Sequence, residues 1–328
     1  MTKEIINLLA VLLFLQSPAY ANDTSVKEVL VTEGNTYHKT KTTWQKVYHN
    51  LTKSGKSLKG ATYIASLEGN GRVDKLHKNG NRDTIIFVPE NTNFNEPVDM
   101  IFYFHGLGGF KERDFGTRVL RHTAAFSKRN FIVIIPEMPW SKNTKTPRSR
   151  QGRVFTKKGE FASFVNSVMK VTIGMFSPSP AKRDKCRVHN VCEFKFGEAI
   201  LIGHSAGGST LMSISKSGGL NWLHNDMEAT CVRVVFSDAS YGRWLDKTWK
   251  YFLSNLALPA DFIVLTRKWD KPYKHAKRFL KKFRNKPYNI KHVIYNRKTT
   301  HAGIGDQSFP WAYKLIDENS GCGEGERK

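Results

Sequence analysis

The chain has 328 residues and a formal net charge of +24, with a pI near 9.9. It is long enough for one large domain with a substantial core, and neither a Pro/Gly/Ser-rich linker nor an internal repeat divides it. Beyond residue 21 no stretch is long and apolar enough to span a bilayer, which sets aside a membrane-spanning function. Charge of this sign and size favours polyanions: nucleic acid, anionic lipid head groups, lipopolysaccharide, teichoic acid or peptidoglycan.

Residues 1–21, MTKEIINLLAVLLFLQSPAYA, have one lysine, an apolar run over 8–15 and an Ala19-Tyr20-Ala21 ending. That is the pattern of a secretory signal peptide cleaved after Ala21, and its apolar core is shorter than the ~20 residues of a membrane anchor. The mature protein is therefore expected to be secreted or periplasmic, where envelope polymers and membranes outrank nucleic acid as partners. Residues 22–60 are polar and rich in Lys and Thr, and read as an N-terminal extension to a main domain over 61–328. Four cysteines, Cys186, Cys192, Cys231 and Cys322, in an exported chain suggest two disulfides. Three connectivities are open. Cys186 with Cys192 and Cys231 with Cys322 is favoured, because the first pair is close in sequence and would staple a polar loop ahead of the central strand.

Within the main domain, 61–67 and 84–88 read as strands separated by Gly/Asn-rich turns. A third strand over 97–104 runs directly into His105-Gly106-Leu107-Gly108-Gly109, and a fourth over 131–135 stops at Pro136. After a basic loop over 141–158 comes an amphipathic helix over 160–175, and then the short apolar run 199–202. A strand over 231–236 leads into Ser237-Asp238-Ala239-Ser240-Tyr241-Gly242, and one over 261–265 leads into 266–270. Next is a basic helix over 272–284, with Tyr273, Ala276, Phe279, Leu280 and Phe283 at helical spacing. The chain finishes with a strand over 292–295, a loop over 296–305 containing His301, and a helix over 310–319. Strands alternating with helices imply an α/β fold with a mostly parallel central sheet and helices on both faces. Ligands of such sheets sit beyond the carboxyl ends of the strands.

The most informative stretch is 198–217, EAILIGHSAGGSTLMSISKS. A buried-strand signal passes through Gly203-His204-Ser205-Ala206-Gly207 into a helix, so Ser205 sits on a turn sharp enough to need almost no side chain two positions to either side. The following helix points its free N–H groups at the same spot, where they would stabilise an anion developing on a bound carbonyl. No metal-ligand cluster or phosphate-cradling loop appears, and no cofactor is expected. A zinc reading of Cys186 and Cys192 fails for want of a second closely spaced Cys/His pair.

Over about 61–320 the chain resembles secreted α/β-hydrolases of the serine type, on HGLGG after the third strand, GHSAGG at the turn, SDASYG after the sixth strand and THAGIG after the last. The resemblance implies Ser205 as nucleophile, His301 as its base, and the backbone N–H groups of Leu107 and Ala206 as the oxyanion hole. Two aspartates compete for the acid: Asp238, which directly follows a strong apolar strand, is preferred, while Asp270 sits after the seventh strand, the more usual place. Asp270 also lies among Arg267, Lys268 and Lys271, which suits a surface ion pair. His105 and His204 read as supports of the turn and the oxyanion loop. Trp140, Phe155, Tyr241 and Trp244 are candidates to line a cleft or to fill the core. The expectation is thus a carboxylic ester hydrolase, with amide cleavage second. The alternatives are a fold-retaining, non-catalytic binder of anionic envelope polymer or membrane, and a nucleic-acid binder, for which no recognised module is present.

Overall fold

The computed structural model describes residues 27–30, 45–53, 56–66, 83–106, 122–126, 128–138, 154–176, 195–253, 260–283 and 290–317. The signal segment, Leu107, Trp140, the loop over 141–153 and three of the four cysteines lie outside them. Cys231 is disulfide-bonded, and no cysteine is free among the described residues.

Ten strands make one sheet: β1 (Lys27–Leu30), β2 (Gln45–Lys53), β3 (Lys56–Ser66), β4 (Asp83–Pro89), β5 (Val98–Phe104), β6 (Phe131–Pro136), β7 (Phe196–His204), β8 (Cys231–Ser237), β9 (Ala260–Arg267) and β10 (Ile290–Tyr295). Their spatial order is β1-β2-β3-β4-β6-β5-β7-β8-β9-β10. β4 is antiparallel to both β3 and β6, and every pairing from β6 to β10 is parallel. This is the α/β-hydrolase fold: an antiparallel strand near one side, a crossed pair, then a parallel run with the serine turn after its central strand.

The sequence of the parallel strands accounts for their position. β5, β6 and β8 are buried along their whole length, as continuous apolar runs must be when both faces of a parallel sheet are covered. Alternate residues serve alternate faces. Met100, Phe102 and Phe104 join one core with Ile132 and Ile134, while Ile101 and Tyr103 join the other with Val133 and Ile135. The first face is covered by α1 (Glu160–Phe176), α2 (Gly207–Lys216), the short α3 (Gly219–Asn225), α4 (Trp244–Leu253) and α5 (Lys271–Phe283). On the second lie α6 (His301–Asp317) and a 3-10 turn, Thr123–Phe126.

Two expectations need correcting. β3 runs through position 60 and pairs with β2 as well as β4, so part of the supposed extension belongs to the sheet. Its polar sequence hid β1 and β2, which lie at the sheet's edge. The loop expected over 296–305 is shorter, because α6 begins at His301 and contains Pro310. Thr300 starts it, accepting the Gly303 N–H on its hydroxyl at 3.0 Å and the Ile304 N–H on its carbonyl at 3.1 Å, as a helix-capping threonine does. Glycines at 303 and 305 gave this segment the look of a loop. At Gly305 a side chain is instead excluded by packing: a Cβ would lie 3.0 Å from the Tyr103 hydroxyl and 3.1 Å from the His204 ring.

At the amino ends of the parallel strands, away from the serine turn, lies a buried charge network. Arg129 Nε donates to Asp99 at 2.7 Å, and the Glu198 N–H donates to the same carboxylate at 2.8 Å. Arg233, 2% exposed, donates from Nε to Glu198 at 2.7 Å and pairs with Asp261 through Nη1. Burial raises the Asp99 carboxyl above its ordinary value, with the Arg129 charge opposing that rise. Such a network ties β5, β7, β8 and β9 into register at the edge where no ligand site is expected.

Candidate active site

The site is built where β7 and β8 end. Ser205 takes a positive φ of 54°, and its N–H donates to Ser237 O at 3.1 Å, tying the turn to the tip of β8. That conformation is uncommon for a residue with a side chain. The turn closes because its flanks are bare: a Cβ on Gly207 would sit 2.0 Å from Phe104 O, and one on Gly203 would sit 2.8 Å from Gly207 O. The chain then enters α2 through Ala206, whose N–H donates to no carbonyl of the described residues.

Asp238 follows β8 directly, with φ 46° and 1% exposure, and its N–H is held by Leu265 O at 2.8 Å. One carboxylate oxygen, Oδ2, lies 2.6 Å from Nδ1 of His301. A carboxylate accepts, so Nδ1 carries the proton and Nε2 is left as the basic nitrogen. The other oxygen, Oδ1, is buried without a hydrogen-bond partner among the described residues. Among the described residues the imidazole is therefore the one side chain hydrogen-bonded to this carboxylate.

His301 is fastened from below as well. His204 Nε2 donates to the His301 carbonyl at 3.0 Å, and the two rings lie 4.6 Å apart. Ser237 Oγ donates to Ile304 O at 3.0 Å, pinning the first turn of α6 to the end of β8. The histidine beside the serine is thus a clamp on the one that faces the site. His105 plays a similar part at the next strand end, accepting the Met138 N–H on Nε2 at 2.9 Å and donating from Nδ1 to Gly106 O at 2.7 Å.

The Tyr241 phenol adjoins the serine. Burial raises it above its ordinary value, the charges of Asp238 and Asp270 add to the rise, and a hydrogen bond with the Ser205 side chain opposes it. Among the described residues no direct hydrogen bond joins Ser205 to His301, whose side chain is 37% exposed. Catalytic contacts are commonly looser before a substrate binds. What the arrangement can do follows from its parts: a hydroxyl on a strained turn, an imidazole whose Nδ1 is held by a carboxylate, that carboxylate buried behind it, and an N–H at a helix start.

Asp270 is bonded instead to Arg267, whose Nε donates to it at 2.5 Å. It is the surface ion pair that its cationic neighbours suggested, and His301 turns to Asp238. Of the aromatic candidates, Phe155 is wholly buried among Phe104, Phe161 and Phe164 and belongs to the core. Tyr241 and Trp244 are partly exposed and meet edge to face at 5.9 Å. The clamps made by Ser237 and His204 depend on the first turn of α6 and could not be read from the chain. Among the described residues no group of His, Cys, Asp and Glu could hold a metal ion, and no helix is long and apolar enough to cross a membrane.

Fold and site together define the class: an α/β-hydrolase fold with serine, aspartate and histidine, in that chain order, gathered at the carboxyl edge of its sheet. No protein-family model matches the chain, and no curated protein matches it either. Solved structures that it resembles include an S-formylglutathione hydrolase from Agrobacterium tumefaciens, 14% identical, covering 81% of this chain and 98% of that one, with a TM-score of 0.44. Another is the feruloyl esterase module from Clostridium thermocellum, 12% identical, covering 80% and 93%, with a TM-score of 0.46. An S-formylglutathione hydrolase from Staphylococcus aureus is 12% identical over 81% and 99%, with a TM-score of 0.44. The fold assignment rests on strand order and register rather than on these likenesses.

Proposed function

We propose that the protein is an exported serine hydrolase that cleaves an ester bond through an acyl-enzyme, acting on an anionic substrate of the cell envelope. The observation that carries the hydrolytic reading is the 2.6 Å contact between His301 Nδ1 and Asp238 beside the Ser205 turn. In the reaction Ser205 Oγ attacks the ester carbonyl carbon as Nε2 of His301 takes the hydroxyl proton. Asp238, already desolvated, stabilises the imidazolium without itself becoming protonated. The carbonyl oxygen becomes an oxyanion held by the Ala206 N–H, with the Leu107 N–H assigned as second donor. Collapse expels the alcohol, protonated by His301, and leaves an ester on Ser205. Water, deprotonated by the same imidazole, then releases the acid. Amide cleavage would use the same parts, so the ester preference belongs to the choice of leaving group.

Export rests on the signal-like segment 1–21, and the anionic substrate on the net charge of +24. A fluorophosphonate probe on the mature protein tests the central claim: wild type should be labelled at Ser205 and Ser205→Ala should not. Labelling that persists in the alanine variant, or is absent from both, refutes it.

A further inference from the structure

Two large hydrophobic side chains stand exposed among the described residues, and one of them, Trp269, lies at the same strand-end edge of the sheet as the candidate site. It sits on the turn after β9, the strand next to β8, so it shares an edge with Asp238. Its indole is 55% exposed while its φ is 76°. A bulky residue in that region is a genuine outlier, and backbone strain of this kind collects at ligand clamps and active sites. Core packing cannot account for it, since the side chain is mostly in water.

The turn is built to hold this pose. Lys268 N–H continues the β9–β10 ladder onto Tyr295 O at 2.9 Å, and the Asp270 carbonyl accepts the Lys274 N–H at 3.0 Å as α5 begins. On either side of Trp269 in the chain, Arg267 and Asp270 neutralise one another. Around it, Lys268 Nζ lies 5.2 Å from the ring centroid, and the Tyr273 ring meets it edge to face at 6.3 Å. Of residues 267–271, three are cationic and one is acidic, leaving a net positive charge beside an open aromatic face.

Direction follows from the mechanism. The Ala206 N–H follows β7 at the start of α2, and Trp269 follows β9, on the far side of Asp238 in the strand order β7-β8-β9. A leaving group departs toward the imidazole that protonates it, hence toward the β8 and β9 ends. We infer that Trp269, with Lys268 and Tyr273, forms a subsite for a ring-bearing, negatively charged leaving group. This rests on the hydrolase reading for its orientation, while the ring-and-anion recognition stands on the turn itself.

Two acetyl esters with the same acyl group provide the test: 4-acetoxybenzenesulfonate, whose leaving group is an anionic ring, and vinyl acetate, which offers neither ring nor charge. In Trp269→Ala the ratio of kcat/KM, aryl over vinyl, should fall on the order of fivefold, the worth of one aromatic contact. Trp269→Phe should keep most of the ratio, and Lys268→Glu should lower it. An unchanged ratio in Trp269→Ala and Lys268→Glu overturns the subsite. Should the wild type turn over neither ester, the hydrolase reading fails by itself. Calorimetric binding of 4-hydroxybenzenesulfonate then decides the subsite: weaker binding to Trp269→Ala upholds it, and equal binding or none rejects it.

Discussion

Asp238 meets His301 with one oxygen and keeps the other buried and unshared among the described residues, so it is specialised for one partner. In Asp238→Asn the amide can present its N–H₂ to Nδ1, favouring the wrong tautomer. We expect kcat to fall by roughly 10³–10⁴ while the fold survives. Asp270→Asn removes only a half-exposed pair with Arg267, of the kind worth ~0–1 kcal/mol, and should change turnover by less than about threefold. Side-by-side kinetics of the two variants check this, and a larger loss for Asp270→Asn would reverse the assignment. The chain alone left both aspartates open because each follows a strand of the same sheet. Which carboxylate meets the imidazole depends on where α6 lies, and residues 238 and 301 are far apart in sequence. Ser205 was legible because its turn is local: strand, bare flanks and helix are contiguous.

Among the elements, β7, β8 and β9 depend on Arg233 at their amino ends. Its guanidinium is buried between Glu198 and Asp261, and Arg233→Met would leave both carboxylates without it in a place that water barely reaches. Breaking a buried network on one side typically costs about 3–5 kcal/mol, and urea unfolding of the variant should show a loss of that order. A loss below about 1 kcal/mol would mean that the network contributes little beyond register. Element identity was readable wherever burial is two-sided, as in β5 through β9, since such strands are nearly all apolar. It failed where the pattern carries little hydrophobic signal. β2 is polar, with Lys46, His49, Asn50 and Lys53 among its nine residues, and the start of α6 carries Gly305, where His204 and Tyr103 press against it.

At the scale of the whole molecule, the outer side of α5 presents a run of exposed cations among the described residues. Lys271, Lys274, Lys277, Arg278, Lys281 and Lys282 are all exposed, while Ala276 and Phe279 are buried and Phe279 packs on Trp249 at 5.6 Å. This division is what an amphipathic helix docked on a sheet should show, and it leaves six cations facing solvent beside the Trp269 turn. Binding of the protein to phosphatidylglycerol vesicles should therefore fall steeply as salt rises from about 50 mM to 500 mM, because screening shortens the reach of exposed charge to a few ångströms. Sedimentation across that range checks it, and binding indifferent to ionic strength would remove the anionic surface from the functional reading. The sequence by itself determined the parallel α/β core, the serine turn and the basic helix, because each is written in a contiguous run with its own periodicity. Only the tertiary structure decided the partner of His301, the role of His204 as its clamp, and the placing of the Trp269 turn beside the end of β8. Those are contacts between strand ends and a distant helix, and they exist only once the sheet has set its order.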